Sequence, residues 1–224
     1  GELVDYTAQA GDTIPALAAH FNTSVEEIYS ANDFIPRDAA TMPPGMPMKI
    51  PIYYLPLWGS QFQIIPDHAF VYGPSGVGFN TSAFVASQSG WINSVYSWAG
   101  RDNRNGAQIV DYVAINYSIN PRLLLAVLEH RTGWVTQSVV VDDGYPLGYR
   151  QPNYDGLYFQ LSWAANQLNW GFYGRSEGGM TSFLINDGTR LAFDPTVNDG
   201  TAGVQNMLGA HDGATYADWQ ADAG

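Results

Sequence analysis

The sequence predicts an α+β protein of two domains, a small strand-helix-helix-strand unit followed by a larger, mainly helical domain with one β-hairpin. Short alternating runs at 5–8 and 48–51 bracket the first fifty residues, as strands of a small unit would. Asn186-Asp187-Gly188 separates two apolar runs, which is typical of a hairpin turn. Apolar residues recur at helical spacing in four segments, residues 14–21, 106–117, 121–132 and 157–169.

Residues 3–52 form the first domain, and they carry the local signals of two short helices. Thr13 precedes the apolar stripe of the first helix, where it can act as the N-cap. Ser24 can cap the second helix, and Glu27 follows three residues later, as in a capping box. A Pro-rich loop over residues 32–47 leads to the closing strand.

The order of residues in this domain resembles the lysin-motif (LysM) family, from Tyr6 through Gly11-Asp12-Thr13-Ile14 and Ala31-Asn32 to Ile50-Pro51. The resemblance implies a βααβ fold that binds N-acetylglucosamine polymers, namely peptidoglycan and in some cases chitin. It also implies a sugar groove between the loop after the first strand and the loop after the second helix. The residues carried over are Gly11, Asp12, Thr13, Ile14, Asn32, Phe34, Ile35 and Pro36. Backbone amides in such loops can bind an acetamido group, while Ile and Pro supply an apolar wall. Asp12, Thr13 and Asn32 can also serve only to cap or end helices.

Residues 53–65 are apolar, so we expect them to pack on the following domain rather than to act as a flexible linker. The second domain then covers residues 66–210. Residues 211–224 are rich in small and acidic side chains and are expected to be a frayed tail or a linker.

One helix of the second domain carries a candidate catalytic group, Glu129. Asn120 can cap this helix, Pro121 suits its first position, and Gly133 suits a left-handed cap at its end. A carboxyl group on an apolar helix is the kind of group that a glycosidase uses as general acid. The alternative is that Glu129 lies on the solvent side of an ordinary core helix.

Residues from Asn120 to Leu128, followed by Thr132-Gly133-Trp134, resemble the helix that bears the catalytic Glu in soluble lytic transglycosylases and goose-type lysozymes. The resemblance implies a lysozyme-like helical fold. In that family the Glu directly precedes a Ser-Gly pair, and Arg131 holds this position here. Glu129 comes two residues earlier, about 200° around a helix axis. The similarity therefore favours binding over cleavage of the glycan.

A LysM unit followed by a lysozyme-like region also resembles the N-terminal part of some bacterial cell-wall zinc peptidases of the lysostaphin type. Their catalytic domain would follow Gly224. The four histidines of this chain are scattered, and none has a second histidine at metal-ligand spacing. No metal site and no cofactor are expected here. Asp142-Asp143 can hold a cation or simply be solvated.

Composition excludes several classes of partner. The net charge is −12, with 9 Lys and Arg against 21 Asp and Glu, which disfavours nucleic acid and anionic membrane surfaces. The chain has no cysteine, so a thiolate zinc site and a cysteine nucleophile are excluded. No apolar run is long enough to cross a bilayer. We expect an extracellular or cell-wall protein whose leader peptide has been removed.

The leading hypothesis is a cell-wall protein that binds peptidoglycan through its LysM domain, with the second domain as a binding or targeting module. Flat aromatic faces can stack on sugar rings, and we predict an aromatic groove formed by Trp134, Tyr145, Tyr149 and Trp163. One alternative is an active muramidase or lytic transglycosylase with Glu129 as general acid/base. Another is a structural subunit of a surface layer, with the apolar stretch 52–65 as a contact.

Overall fold

The computed structural model describes residues 1–39, 41–54 and 57–223, and the chain divides into two compact units. Unit 1 consists of Gly1–Phe62, Gly179–Val197 and Leu208–Gly224, and unit 2 of Gln63–Gly178 and Asn198–Met207. Helices and strands are both present, which confirms the α+β class. No helix in the described part of the chain has the length and apolar character needed to cross a membrane.

In chain order the elements are β1 (Glu2–Thr7), α1 (Ile14–Phe21), α2 (Val25–Ser30), β2 (Pro47–Ile52), β3 (Leu57–Trp58), α3 (Asp67–Phe70), α4 (Thr81–Ser87), a short 3-10 helix (Trp91–Ser94), β4 (Tyr96–Ala99), β5 (Asp102–Asn105), α5 (Gly106–Tyr117), α6 (Pro121–Thr132), α7 (Leu157–Ser176), β6 (Ser182–Leu184), β7 (Arg190–Ala192), α8 (Asp199–Ala210) and α9 (Tyr216–Ala223).

The first part of unit 1 is the βααβ motif that the sequence predicts. β1 and β2 pair antiparallel, with Val4 opposite Ile50. Thr13 Oγ1 accepts a hydrogen bond from the first turn of α1, and Ser24 and Glu27 form the expected capping box of α2. The two helices pack against the strands through one cluster of buried residues, Ala8, Ile14, Leu17, Ala18, Ile28, Ile35, Met42, Met48 and Ile50. Helices this short are not stable alone, so this apolar packing maintains them.

A three-stranded sheet completes unit 1. β6 and β7 form the antiparallel hairpin that the sequence predicts around Asn186-Asp187-Gly188. β3 pairs parallel to β7, with Leu57 opposite Leu191. The apolar stretch 53–65 therefore supplies a strand to this sheet, although its residues 55 and 56 lie outside the described part of the chain.

The segment after residue 210 differs from the frayed tail that its composition suggests. α9 buries Trp219, which is 3% exposed and lies 5.5 Å from the Phe183 ring between centroids. Tyr216 N also donates to Asp187 Oδ2 at 2.8 Å. The small and acidic residues lie on the exposed side of α9 and led to the prediction of a tail. The buried side chain of Trp219 anchors this helix to the rest of unit 1.

Unit 2 is built around α5, which contacts α4, α6 and α7. Its Ile109, Val110 and Val113 are fully buried, and the Asn105 side chain caps its N-terminus. α7 runs seven residues beyond the predicted end at residue 169 (176 − 169) and includes Gly171 in its interior. In the structure a Cβ at Gly171 would lie 2.7 Å from Ala202 O, so glycine there allows α8 to approach.

The hairpin of β4 and β5 was not predicted. Gly100 occupies its turn with φ of +72°, a conformation that favours glycine. Tyr96 lies opposite Asn105, and Trp98 opposite Asn103. Residues that are opposite each other or two apart in a strand share one face of a sheet. One face of this hairpin therefore presents two aromatic and two amide side chains.

Candidate functional site

Two loops of unit 1 carry the residues assigned to the sugar groove. The first contains Gly11, Asp12, Thr13 and Ile14 and connects β1 to α1, and the second, residues 32–36, follows α2. Each loop places one aliphatic side chain in the same apolar cluster, because Ile14 is 0% exposed and Ile35 is 5% exposed. These two side chains therefore position the loops and are not available to a ligand.

Asp12 fixes the shape of the first loop. Its Oδ2 accepts hydrogen bonds from Tyr6 Oη at 2.8 Å and from Gln9 N at 2.7 Å. The hydrogen bond to Asp12 raises the pKa of the Tyr6 phenol, and burial raises it further. Asp12 O also accepts from Met42 N at 3.0 Å. The loop is thus held from both sides, which orients its backbone before any ligand arrives.

Asn32 has its side chain inside unit 1, with 1% exposure. Its Nδ2 donates to Ile28 O at 2.7 Å and to Lys49 O at 2.6 Å, while its Oδ1 accepts from Lys49 N at 2.7 Å. These bonds connect α2 to β2 and use both amide protons. The structure therefore favours the structural role for this side chain over a direct sugar contact.

The exposed residues of the two loops are Gly11, Asp33, Phe34 and Pro36, while Asp12 and Thr13 are half-buried. Phe34 is 62% exposed, so its ring is accessible to a ligand. An exposed ring and a Pro next to turn backbone match the chemistry expected of a sugar-binding loop. These exposed residues are the part of the two loops that a ligand can reach.

Glu129 lies in the last turn of α6 and is half-buried. Its Oε2 accepts from Val135 N at 3.0 Å and Thr136 N at 3.1 Å, and its Oε1 from Thr136 Oγ1 at 2.6 Å. The same loop is bonded to the 3-10 helix, since Trp91 N donates to Gln137 O at 2.8 Å. Glu129 therefore holds the loop that follows its own helix.

Glu129 also borders a cavity of about 330 Å³ between α4 and α6. The Arg122 guanidinium, another wall residue, lies 4.6 Å from the centre of the Phe79 ring. Most glycosidases use two carboxyl groups that flank the bond to be cleaved, whereas the lining of this cavity contains one. The residues that line the cavity are Phe79, Phe84, Arg122, Leu125, Ala126, Glu129, Val135 and Thr136.

The predicted aromatic groove of unit 2 is not formed as expected. Trp134 is 3% exposed and Trp163 is 5% exposed, so both are core residues that present no face to a sugar. Tyr149 stacks on Trp163, with 4.9 Å between ring centroids and 6° between planes. Tyr145 lies beside the Arg150 guanidinium at 5.6 Å. Core and surface aromatics have the same sequence signature, and only the tertiary structure separates them.

A set of rings that shares only Tyr149 with the predicted groove does reach the surface of unit 2. Trp98, Phe159, Tyr154 and Tyr149, here called the aromatic run, follow one another with centroid distances of 5.9, 6.5 and 4.8 Å. Trp98 is 50% exposed and Tyr154 38%. Trp98 was not among the predicted binding residues, although the spacing Tyr96-x-Trp98 before Gly100 is a signal for an aromatic strand face.

The acidic pair at 142–143 has partners within its own loop. Asp142 Oδ1 accepts from Gly144 N at 3.0 Å. The backbone N–H of Tyr145 and the Arg150 guanidinium lower the pKa of the Asp143 carboxyl. Across the described residues, no three His, Asp or Glu side chains are grouped so that they could hold a metal ion.

Comparison with protein-family models gives two matches. Residues 6–51 match the LysM domain, which confirms the sequence prediction for this region. Residues 63–222 match the family described as LasA, N-terminal domain. The lysozyme-like interpretation of the second region stays a prediction. No curated protein and no solved structure matches the chain.

Proposed function

The chain belongs to the LasA N-terminal domain family and carries a LysM domain before it, and on this basis we propose that it is a secreted cell-wall protein that binds peptidoglycan. LysM domains bind N-acetylglucosamine polymers such as peptidoglycan and typically occur in extracellular or cell-wall proteins. The observation that carries the proposal is the LysM match over residues 6–51, together with its βααβ structure.

Within the LysM domain we assign different roles to the two sets of loop residues. The backbone of Gly11, Asp12 and Thr13 offers hydrogen bonds to an acetamido group, and Phe34 and Pro36 form the apolar wall beside it. Ile14, Asn32 and Ile35 contribute indirectly, since they hold the loops against the core. The assignment explains why three of the eight carried-over residues are buried.

The second region acts in this proposal as a binding or targeting module rather than a cutting one. Its family is described as an N-terminal domain, which supports a role in placing another activity at the wall. The hydrogen bonds that Glu129 accepts from its own loop support a structural use of this carboxylate.

The test is a pull-down of the full chain on purified, insoluble peptidoglycan, with soluble N-acetylglucosamine oligomers as competitor. Phe34→Ala should weaken binding by roughly tenfold, because about 1.5 kcal/mol of apolar contact would be lost. The matched control is Leu3→Ala, which removes another exposed apolar side chain of unit 1, 57% exposed, outside both loops. Equal recovery of both variants would refute the assigned groove, and no recovery of the unaltered chain would refute the function.

A second candidate function is peptidoglycan cleavage by a muramidase or lytic transglycosylase that uses Glu129 as general acid/base. The observation in its favour is that Glu129 borders the cavity between α4 and α6. Release of soluble muropeptides by the unaltered chain, and its loss in Glu129→Gln with binding retained, would favour this candidate. We rank it second, because both carboxylate oxygens already accept hydrogen bonds within the fold.

A further inference from the structure

We propose that the aromatic run and the adjoining face of the β4–β5 hairpin form a second glycan-binding surface, separate from the LysM loops. The ligand is a neutral stretch of an N-acetylglucosamine-containing polysaccharide, bound by stacking of its pyranose rings. The identity of the polymer rests on the proposed function, whereas the location rests on unit 2 alone.

Three large aromatic side chains of this surface are exposed to solvent. Tyr96 is 70% exposed, Trp98 50% and Tyr154 38%. Burial of such rings in the core would stabilise the folded chain. A group of them left exposed on one surface therefore indicates a binding site. Their hydroxyl and indole N–H groups can bond sugar hydroxyls while their faces contact the C–H groups of a pyranose.

Hydrogen bonds within the fold fix the rings of this surface in place. Tyr149 and Tyr154 come from the loop before α7, and the buried side chain of Gln160 holds that loop. Gln160 Nε2 donates to Tyr149 O at 2.7 Å and to Tyr154 O at 2.8 Å, while its Oε1 accepts from Tyr149 N at 3.3 Å. Binding of a ligand therefore costs little conformational entropy in this loop, because the loop is already ordered.

The hairpin end of the surface is fixed as well. Trp98 stacks on Phe159 with 26° between planes and meets Tyr158 edge to face at 5.7 Å. Arg104, on the opposite face of β5, donates to Ala99 O and lies 4.3 Å from the centre of the Tyr112 ring. Trp98 is thereby packed against the rings of α7, while half of the residue stays exposed to solvent.

The side chains that form this surface carry no formal charge. The hairpin face presents Tyr96, Trp98, Asn103 and Asn105, none of which carries a formal charge. The four rings of the aromatic run are also uncharged, in a chain whose net charge is −12. Binding to anionic lipid headgroups depends on clustered cationic side chains, which this face does not present. Amide side chains beside aromatic rings instead match the hydroxyl groups and apolar C–H faces of a neutral polyol.

The experiment measures affinity of the full chain for insoluble peptidoglycan and for a soluble N-acetylglucosamine hexamer. Tyr96→Ala and Trp98→Ala should each weaken binding by about three- to tenfold, the usual value of one aromatic stack. The matched control is Trp170→Ala, which removes a Trp of α7 that is 67% exposed and outside the aromatic run. Tyr96 makes the test independent of folding, because a side chain this exposed contributes little to stability.

The outcomes separate this inference from the LysM assignment. If Phe34→Ala weakens binding while both hairpin variants behave like Trp170→Ala, the second surface is refuted and the LysM groove stands. Loss in the hairpin variants alone supports the surface and refutes the groove. If the hairpin variants change only the oligomeric state in light scattering, the surface is a contact between copies of the chain and the inference is wrong.

Discussion

Replacing Glu129 tests whether this residue is structural or catalytic. In Glu129→Ala three hydrogen bonds disappear, but their donors differ in environment. Val135 is 3% exposed, so its N–H would stay without water, at a cost of about 1–3 kcal/mol. Thr136 is exposed and can bond water, so its two donors add about 1 kcal/mol. The expected loss is about 2–4 kcal/mol, or roughly 4–16 °C in Tm for a region of this size.

The assay is thermal unfolding followed by circular dichroism, with two matched variants. Glu129→Gln keeps one oxygen for Val135 N and offers an amide proton to Thr136 Oγ1, so it should lose only about 1 kcal/mol. Thr136→Ala removes one exposed hydroxyl partner and should lose less than about 1 kcal/mol.

Two results would contradict this reasoning. A Glu129→Ala protein that melts within about 1 °C of the unaltered chain would show that the loop does not depend on the carboxylate. A Glu129→Gln protein that melts normally but no longer releases muropeptides would show that the residue is catalytic.

Two further predictions concern the LysM domain. Asn32→Ala should destabilise it by about 2–4 kcal/mol, since buried partners in α2 and β2 lose their bonds; a melting curve equal to that of the unaltered chain would contradict this. Glu27 makes the stability of the domain depend on pH in the acid range. Burial raises the pKa of its carboxyl group, but hydrogen bonds from Tyr53, Ser24 and Thr23 outweigh burial and lower the pKa below 4.5. A lowered folded pKa means that the stabilisation is complete above the unfolded value and is lost as pH falls through the folded pKa. Unfolding curves below pH 4.5 should therefore show a steeper loss for the unaltered chain than for Glu27→Gln, and parallel losses would refute the assignment.

The sequence predicted those parts of the fold that depend on neighbouring residues. Thr13 and the pair Ser24 and Glu27 act through groups within three positions, so their caps were predicted correctly. The hairpin turn at Asn186-Asp187-Gly188 is likewise a local signal. The pairing of β3 with β7 could not be predicted from neighbouring residues. β3 has only two residues, which are too few to show the apolar alternation that sets the register of a strand.

The site shows the same division. The LysM loops were found through a motif, but the motif did not say which side chains face the ligand and which support the loop. Asn32 resembles a ligand-binding amide until both of its protons are assigned to carbonyls. Trp134 and Trp98 are the same residue type, so the sequence alone does not tell which is buried. The structure places Trp134 in the core and Trp98 at the surface.

The parallel pairing of β3 with β7 has a consequence for how the molecule is made. Leu57 and its partner Leu191 are 134 positions apart (191 − 57), whereas Val4 and Ile50 are 46 apart (50 − 4). As the ribosome extends the chain from its amino end, β1 and β2 can close their motif early. β3 must wait, unpaired, until most of the polypeptide has emerged. An apolar strand edge is exposed in that interval, so slow translation or truncation before residue 190 should promote aggregation of nascent chains.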